Sequence, residues 1–451
     1  MTSVKTSALA LAVSLGLMSA CTWVQAKETD AARLDAALTP VGAERAGNAD
    51  GSIPGWDGGM RAGAAAVSAS GDYSDPFASE QPLYVVSKAN LSQYQAQLSP
   101  GQQALFARYP QYRMAVYPSH RSAAIPQKYL DETRKNLAGV TLSDDGNGLD
   151  GYNFGVPFAE PTTGLEVMWN HLTRYRGGSI RRQFASATVQ EKGEYTVVNS
   201  DGLTVFRERI SDPDPSENLL LLNRVMTTAP SRYAGEVTLV HEPLNQVAGI
   251  RSAWQYNPGQ RRVRRAPTVA YDSSARYSFG QVVADSVDGY NGAPDRYTWQ
   301  LQGKRELLVP YNAYRLASKQ LKYSDLLTPG YLNPDHSRYE KHRVWVVEAT
   351  LKPGMRHVYA KRRFYLDEDT WQIVAADIYD SRGELWRTYE SHTAMLHDIQ
   401  LPLTVAEATY DLISGRYAVN YLANEVSVKA VFGEPMSKSE FTPAQLKRMG
   451  K

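Results

Sequence analysis

The sequence predicts a mainly β protein of the α+β class, organised around a large antiparallel sheet. Residues 339–392 carry the clearest evidence, because they read as four short strands in succession. In the first of these strands, apolar side chains occupy alternate positions at Trp345, Val347 and Ala349, the pattern of a half-buried strand. Turn-forming sequences separate the strands at residues 353–354, 367–369 and 380–383.

The composition agrees with this fold class. The chain has 451 residues, 43% of them hydrophobic, and a formal charge of +2, which is ordinary for a globular protein. It holds 28 tyrosines, 24 prolines and 33 glycines, which suits strands joined by many turns. Nothing in the charge indicates a nucleic-acid partner, and we expect none.

Residues 1–26 have the organisation of a secretory signal peptide. Lys5 precedes an apolar run over residues 8–20, and Val24-Gln25-Ala26 forms a small-residue cleavage site. Cleavage there predicts an exported, periplasmic protein. An alternative stays open at Cys21, which follows a sequence similar to a lipoprotein cleavage box. Lipidation of this cysteine would give an outer-membrane lipoprotein.

Residues 27–163 are expected to form an irregular and helical arm. Short helices are predicted over residues 90–98, 101–109 and 127–137. Two segments rich in Gly, Asn and Asp, residues 38–59 and 144–150, are interpreted as tight turns. Their spacing lacks the ligand pattern of a calcium loop.

Residues 164–451 are expected to form a β-rich domain. This domain and the arm are expected to form one compact unit. A helix begins the domain, because Thr163 and Glu166 have the spacing of a capping box. The apolar stripe of this helix includes Met168 and Trp169. Gly177-Gly178 is predicted to end it.

Strands and three further helices are predicted across the rest of this domain. The predicted strands cover residues 181–189, 195–199, 203–209, 235–241, 248–256, 298–311, 405–410 and 416–422. Helices are predicted over residues 215–229 and 281–292 and from Pro443 onward. The basic run at residues 260–265 is interpreted as a solvated strand face, with binding of anionic lipid headgroups as the alternative.

Motifs of common catalytic centres are not found in the sequence. It has no Gly-x-Ser-x-Gly elbow, His-Glu-x-x-His motif or Walker loop, and its eight histidines are scattered. We therefore expect a non-enzymatic protein with no catalytic residues, no cofactor and no metal site. A hydrolase whose Ser, His and carboxylate are brought together by folding stays open, because such triads are defined by geometry.

An excess of large aromatic residues is the remaining signal. These side chains line either a ligand cavity or a filled core, and composition does not decide between the two. The candidate ligand-binding residues are Trp169, Trp254, Tyr256, Trp299, Trp345, Phe364, Trp371 and Trp386.

Several segments resemble the signatures of one known family. They are residues 38–59, Gly155-Val156-Pro157-Phe158, and the run from Glu166 to Gly177 that contains Met168-Trp169-Asn170-His171. Together they resemble the family labelled domain of unknown function 1329, or DUF1329, over essentially the whole mature chain. That family is similar to the outer-membrane lipoprotein-sorting proteins LolA and LolB. Segments similar to LolA-type strand pairs are residues 254–258 with 261–265, and 365–367 with 371–379.

This resemblance implies a fold and a role. The fold is an open, strongly curved antiparallel sheet, or half-barrel, with helices packed in and over its concave face. LolA-like members hold acyl chains there, so the implied role is a periplasmic carrier of a lipid or another apolar ligand. The resemblance also implies partners, an inner-membrane exporter of the resistance-nodulation-division (RND) type and an outer-membrane protein. The alternatives are an envelope hydrolase and a non-enzymatic scaffold that links exporter and outer membrane.

Overall fold

A computed structural model describes residues 32–34, 36–69, 71–214, 216–266 and 271–449. Within these ranges the protein is mainly β, with a large, mixed and mostly antiparallel open sheet and several short helices. The predicted fold class is therefore confirmed. The predicted signal peptide and Cys21 lie outside the described residues.

The described strands alternate with short helices along the chain. The strands are β1 (Tyr84–Ser87), β2 (Arg113–Val116), β3 (Thr141–Ser143), β4 (Gly148–Asp150), β5 (Ser179–Val189), β6 (Tyr195–Phe206), β7 (Leu221–Ala229), β8 (Val237–Glu242), β9 (Ser252–Asn257), β10 (Arg262–Arg265), β11 (Tyr297–Pro310), β12 (Tyr339–Leu351), β13 (Lys361–Asp367), β14 (Ile373–Tyr379), β15 (Leu385–Leu396), β16 (Leu401–Asp411), β17 (Tyr417–Leu422) and β18 (Val431–Phe432). The helices are α1 (Leu91–Tyr94), α2 (Pro100–Arg108), α3 (Gln127–Gly139), α4 (Gly164–Thr173), α5 (Tyr323–Leu326) and α6 (Pro443–Met449).

Sixteen of these strands form one sheet. Neighbours follow the order β1-β2-β12-β13-β14-β15-β16-β17-β5-β6-β7-β8-β9-β10, with β11 added on β12 and β18 on β5. The antiparallel pairing of β17 with β5 joins the C-terminal meander to the earlier strands. Strands β3 and β4 pair only with each other, in a small separate hairpin.

Both faces of the meander are covered. The face that carries Trp345 and Phe364 is here called the helix face, because α4 packs on it. Val346 and Tyr365 lie on the opposite face, in a second apolar cluster. There α2 packs as well, and the Gly101 N–H donates to Asp377 Oδ1 at 2.7 Å. The expectation of half-buried strands is therefore wrong for the meander, because the arm covers its second face.

The run of leucines at residues 219–222 does not form a helix. The helix predicted over residues 215–229 is wrong, because strand β7 lies there, paired with β6 and β8. A short apolar run has no periodicity that separates a buried strand from a buried helix. The β-branched residues Val225, Thr227 and Thr228 favour the strand.

Two other local predictions are wrong. Residues 281–292 contain a single 3-10 turn, Ala284–Ser286, instead of a helix. Asp288 and Gly289 follow it with φ values of 60° and 76°, a backbone conformation that interrupts any helix. The turn predicted at residues 201–202 lies inside the continuous strand β6. Its Gly202 leaves room for a neighbour, since an added Cβ would come within 3.0 Å of the Phe184 ring.

The remaining helices follow the predictions with shifted ends. The helix predicted over residues 90–98 covers only Leu91–Tyr94 and a 3-10 turn after it, and the helix predicted over 101–109 is α2, which Ser99 starts with a capping box to Gln102. Helices α3, α4 and α6 are confirmed. Helix α4 ends at Thr173, before the predicted stop at Gly177-Gly178.

Candidate functional site

The first turn of α4 fixes this helix against the sheet. The predicted capping box is formed: the Glu166 N–H donates to Thr163 Oγ1 at 3.2 Å, and the Thr163 N–H donates to Glu166 Oε2 at 3.0 Å. Gly164 follows, and a Cβ at this position would lie 2.9 Å from the backbone of Gln300 in β11. The helix therefore starts in direct contact with β11, which a larger residue would prevent.

Five of the eight predicted aromatic residues meet beneath α4. They form, with their apolar neighbours, what is called here the α4 cluster, and they are Trp169, Trp299, Trp345, Phe364 and Trp371. Trp299 stacks on Phe364, and Trp345 stacks on Trp371, each pair with ring centroids 6.1 Å apart. Their role in ligand binding stays a prediction, since side chains of the protein itself pack around these rings.

The indole N–H groups of this cluster differ in their partners. Trp169 donates to the Gly146 carbonyl at 2.8 Å, Trp371 to Val41 at 3.0 Å, and Trp299 to a carbonyl at 2.9 Å. The Trp345 Nε1 atom is buried and has no hydrogen-bond partner among the described residues. Trp345 therefore keeps an unused donor within the apolar cluster, which an oxygen atom of a ligand would satisfy.

The other three predicted residues lie elsewhere. Trp254 and Tyr256 are on β9, in what is called here the α6 cluster, where apolar side chains of the sheet pack against α6. Trp386 is half-buried beside Tyr359, with ring centroids 5.7 Å apart. The structure therefore does not bring these three residues to the α4 cluster.

A buried histidine joins α4 to the sheet. His171 Nε2 lies 2.9 Å from the Asp288 carbonyl, and Nδ1 lies 3.0 Å from the Trp371 carbonyl and 3.2 Å from the Ile373 amide nitrogen. A neutral ring with its proton on Nε2 donates to the Asp288 carbonyl and accepts from the amide. Burial is the main cause that lowers the pKa of His171 to about 3, so the ring is neutral at physiological pH.

Two arginines after α4 hold the loop that crosses the helix face. Arg174 and Arg176 contact the two carboxylate oxygens of Asp288 at 2.5 and 3.0 Å. Burial works against the charge of Asp288, but the guanidinium groups hold its pKa well below the usual range. The end of α4 is therefore locked to residue 288 by ion pairs that are largely shielded from solvent.

A cavity of about 320 Å³, called here the junction cavity, lies where the two apolar clusters meet. Phe154 in its wall packs on the α4 cluster, and Ile210 and Leu219 belong to the α6 cluster. Charges of both signs lie in the same wall, the cations Lys128 and Arg207 and the acidic side chains Glu208, Asp214 and Glu217. The full lining is Lys128, Asn153, Phe154, Arg207, Glu208, Ile210, Pro213, Asp214, Glu217 and Leu219.

No pattern in the sequence predicted the junction cavity. Phe154 and Lys128 belong to the arm, whereas Arg207 and Leu219 follow β6, so no local spacing relates them. Tyr290 is a buried member of the α4 cluster. It lies in a segment predicted as a helix and is not among the candidate ligand-binding residues. The capping box of α4 was the only local pattern that pointed to this region.

The histidines show no catalytic arrangement in their described contacts. His120 contacts Glu80, His342 contacts Glu340, and His357 contacts Asp285. His171 and His241 contact backbone groups. Glycines 146, 148 and 151 have the spacing of a dinucleotide-binding turn, but they lie around the β3–β4 hairpin. That motif requires a strand before it and a helix after it.

An ionic network surrounds the turn between β13 and β14, with Lys304 and Arg343 on the helix face and Glu340, His342 and Asp367 on the opposite face. It joins six carboxylates to four permanent cations by ion pairs or through two histidines. The carboxylates are Glu44, Glu80, Glu340, Asp367, Glu368 and Asp369, the cations are Arg121, Lys304, Arg338 and Arg343, and the histidines are His120 and His342. With neutral histidines this network has an excess of negative charge.

One part of this network has the donor set of a metal site. One ligand atom from each of His342, Asp367 and Asp369 lies within 4.8 Å of the others, and all three residues are buried. Burial and the neighbouring Asp369 raise the pKa of Asp367 to about 7. A second cavity, of about 460 Å³, is lined by His120, Arg121 and Ser122 beside this cluster.

In the described ranges, we find no helix that is both long and apolar enough to cross a membrane.

Comparisons with known proteins place this architecture among bacterial relatives. The family model described as "Protein of unknown function (DUF1329)" matches residues 85–447. The uncharacterised protein PA3922 of Pseudomonas aeruginosa is 48% identical over 441 residues, which is 97% of each chain.

Solved structures show more distant likeness. A DUF1329 family protein from Desulfovibrio piger is 14% identical, with a TM-score of 0.42, covering 60% of this chain and 92% of its own. A putative outer membrane lipoprotein-sorting protein domain from Vibrio parahaemolyticus is 13% identical, with a TM-score of 0.42 and coverages of 61% and 94%. The LolA superfamily protein NE2245 from Nitrosomonas europaea is 14% identical, with a TM-score of 0.37 and coverages of 62% and 98%.

Proposed function

We propose that this chain, which belongs to the DUF1329 family, binds and carries an apolar or amphiphilic ligand and has no catalytic activity. The junction cavity carries this proposal. It lies between two apolar clusters and has charged side chains of both signs in its wall. Ligand pockets typically measure about 300–1,000 Å³ and combine apolar walls with a few polar groups. The cavity is at the lower end of that range.

The wall chemistry favours an acyl chain with a polar end. Phe154, Ile210 and Leu219 offer apolar surface. Lys128 and Arg207 suit a carboxylate or a phosphate of the ligand, although three carboxylates of the protein lie in the same wall. Burial of each methylene contributes about 0.8 kcal/mol, so about ten buried methylenes are enough for affinity near 1 μM. The unused indole donor of Trp345 belongs to the apolar cluster that the cavity adjoins through Phe154.

We propose that the protein is located in the bacterial envelope. The signal-peptide pattern of residues 1–26 supports a periplasmic location, and Cys21 supports the lipoprotein alternative. Cys21→Ser separates the two: it moves a lipoprotein from the membrane fraction to the soluble fraction and leaves a protein cleaved after Ala26 unchanged. The family resemblance motivates the further proposal that an RND-type exporter and an outer-membrane protein exchange the ligand with this carrier. Crosslinking in cells tests that proposal.

The carrier proposal is tested with native mass spectrometry and a fluorescent fatty acid. We expect protein purified from its own periplasm to retain an apolar ligand and to take up the probe. Leu219→Trp, which fills the cavity, is expected to abolish uptake while Ile413→Trp, on an exposed position, leaves it unchanged. A bare mass together with no uptake by the folded wild-type protein contradicts the proposal.

The anionic end of the ligand is tested separately. Lys128→Glu reverses one charge in the cavity wall and is expected to weaken fatty-acid binding about five-fold, which corresponds to about 1 kcal/mol. Lys135→Glu, an exposed position on the same helix α3, is the matched control and is expected to have no effect. Equal effects of the two variants would contradict a specific role of Lys128.

A further inference from the structure

We propose that His342, Asp367 and Asp369 form a binding site for a divalent transition-metal ion such as Zn²⁺. Strand pairing places two of the three ligands. Asp367 ends β13 and pairs with Val344 of β12, so His342, two residues before Val344, lies on the same face of the sheet. The turn that follows β13 brings Asp369 to the same point.

The His342 ring has the contacts that are typical of a metal-binding imidazole. His342 Nε2 lies 3.1 Å from Glu340 Oε2, and the ring stacks on Tyr311 with centroids 3.9 Å apart. Metal-bound histidines typically donate their other N–H to a carboxylate, which fixes the tautomer and the ring plane. Glu340 is itself fixed, because it accepts from Arg338 Nε at 2.6 Å and from the His120 N–H at 2.7 Å.

The free nitrogen of this ring faces an unpartnered oxygen. His342 Nδ1 lies 3.9 Å from Asp367 Oδ1, too far for a hydrogen bond. Two ligand atoms on one zinc ion lie about 3–3.5 Å apart, so a small contraction would seat both. Asp367 Oδ1 is buried and has no hydrogen-bond partner among the described residues. A buried carboxylate oxygen without a partner is costly, and a bound cation removes that cost.

The third ligand is held in place by an arginine. Both oxygens of Asp369 accept from Arg121, at 2.9 and 2.6 Å, and each oxygen keeps a second lone pair. Arg121 brings positive charge close to the site, but the network still carries more carboxylates than permanent cations. With His342 neutral and Asp367 ionised, as metal binding requires, a divalent ion balances that excess.

The donor set selects the class of metal. One imidazole and two carboxylates suit Zn²⁺ or Mn²⁺ better than Ca²⁺, which prefers six to eight oxygen ligands. The site is enclosed, and Arg121 separates it from the 460 Å³ cavity. The structure therefore indicates a structural ion, which would join β12 to the β13–β14 turn.

The test uses the full-length protein, stripped with a chelator and titrated with Zn²⁺ and, for its visible spectrum, with Co²⁺. We expect one ion per chain by native mass spectrometry, a higher unfolding temperature with Zn²⁺, and a Co²⁺ spectrum of nitrogen and oxygen ligation. Asp367→Asn, which is nearly isosteric, is expected to lower zinc affinity at least a hundred-fold. Glu340→Gln, which acts through the orientation of His342, is expected to lower it about 10- to 100-fold.

The controls decide between this site and adventitious binding. His336→Gln, a change of a histidine outside the cluster, is expected to leave zinc affinity unchanged. Wild-type protein that binds no Zn²⁺, Co²⁺ or Mn²⁺ below millimolar concentration overturns the proposal, as does zinc binding that Asp367→Asn and Glu340→Gln leave intact. If the variants fail to fold, the wild-type metal stoichiometry and Co²⁺ spectrum decide alone.

Discussion

Burial of His392 is expected to lower the stability of this protein in acid, and a substitution of this one residue tests that expectation. His392 lies in β15, opposite Ala406, and its side chain is fully buried. Neither ring nitrogen has a hydrogen-bond partner among the described residues. Burial lowers the pKa of His392 to about 3, and no charged neighbour contributes to the shift. The ring is therefore neutral in the folded protein over most of the acid range.

The sign and the size of the effect follow from the two pKa values. In the unfolded chain the pKa is 6.5, so between pH 6.5 and 3 the unfolded state binds a proton that the folded state does not. The neutral His392 ring therefore costs no stability above pH 6.5, and the free energy of unfolding decreases through this residue as the pH falls below 6.5. Each pH unit removes about 1.4 kcal/mol, which gives a loss of about 3 kcal/mol at pH 4. His392→Leu removes this loss, and at pH 7.5 it breaks no hydrogen bond.

The assay is urea unfolding followed by tryptophan fluorescence at pH 7.5, 5.5 and 4.0. We expect the stability of His392→Leu relative to wild type to rise by about 3 kcal/mol between pH 7.5 and 4.0. His171→Leu is the matched control, because burial lowers its pKa to the same value, about 3. Its ring also bonds the Asp288 carbonyl and the Ile373 amide, so the same pH dependence is expected on top of a large loss at pH 7.5.

A difference in the free energy of unfolding between His392→Leu and wild type that does not change with pH would refute the lowered pKa of His392. An NMR titration that gives His392 a pKa near 6.5 would refute it equally. Other titrating groups do not obscure the result, because they contribute the same pH dependence to both proteins.

Three further predictions concern the α4 cluster, a buried acid and the helix cap. Trp345→Ala is expected to weaken binding of a lipid probe more than it weakens folding, whereas a loss of about 3–5 kcal/mol of stability with unchanged affinity would identify a purely structural side chain. Glu390→Gln is expected to stabilise the protein at pH 8 by up to about 3 kcal/mol, with little effect at pH 4, in chemical denaturation at both pH values. Burial raises the pKa of Glu390 to about 7, so the contribution of this residue to wild-type stability is highest below pH 4.5 and decreases as the pH rises to about 7. Thr163→Ala is expected to cost about 1 kcal/mol in the same assay, and no loss would show that the capping box does not hold α4.

Local patterns in the sequence predicted most of the elements. Alternation identified the strands of the meander, and the Thr163–Glu166 spacing identified α4 before any tertiary information was needed. The failures occurred where tertiary contacts decide between alternatives. Residues 215–229 became a strand because β6 and β8 supply partners on both sides. Gly202 stayed inside a strand because the Phe184 ring occupies the space that a side chain would fill.

The candidate site was only partly predictable, for a related reason. Aromatic content identified five residues of the α4 cluster, but it equally selected Trp254, which packs in the α6 cluster. Neither the junction cavity nor the His342 cluster has a local spacing. Phe154 and Leu219 are brought together by the packing of the arm, and His342 and Asp367 by the pairing of β12 with β13.

The turn over residues 367–371 connects the two faces of the sheet. Its first residue, Asp367, lies on the opposite face and belongs to the ionic network, and its last, Trp371, is buried in the α4 cluster of the helix face. The backbone ties the two together, because the Trp371 N–H donates to the Asp367 carbonyl at 2.9 Å. Trp371 also has a φ of 59°, a conformation that such a bulky residue keeps only when its surroundings impose it. A cation bound at Asp367 would therefore restrain the turn and, through it, the Trp371 ring. Since Trp345 stacks on that ring, tryptophan fluorescence should report metal binding on one face and ligand binding on the other.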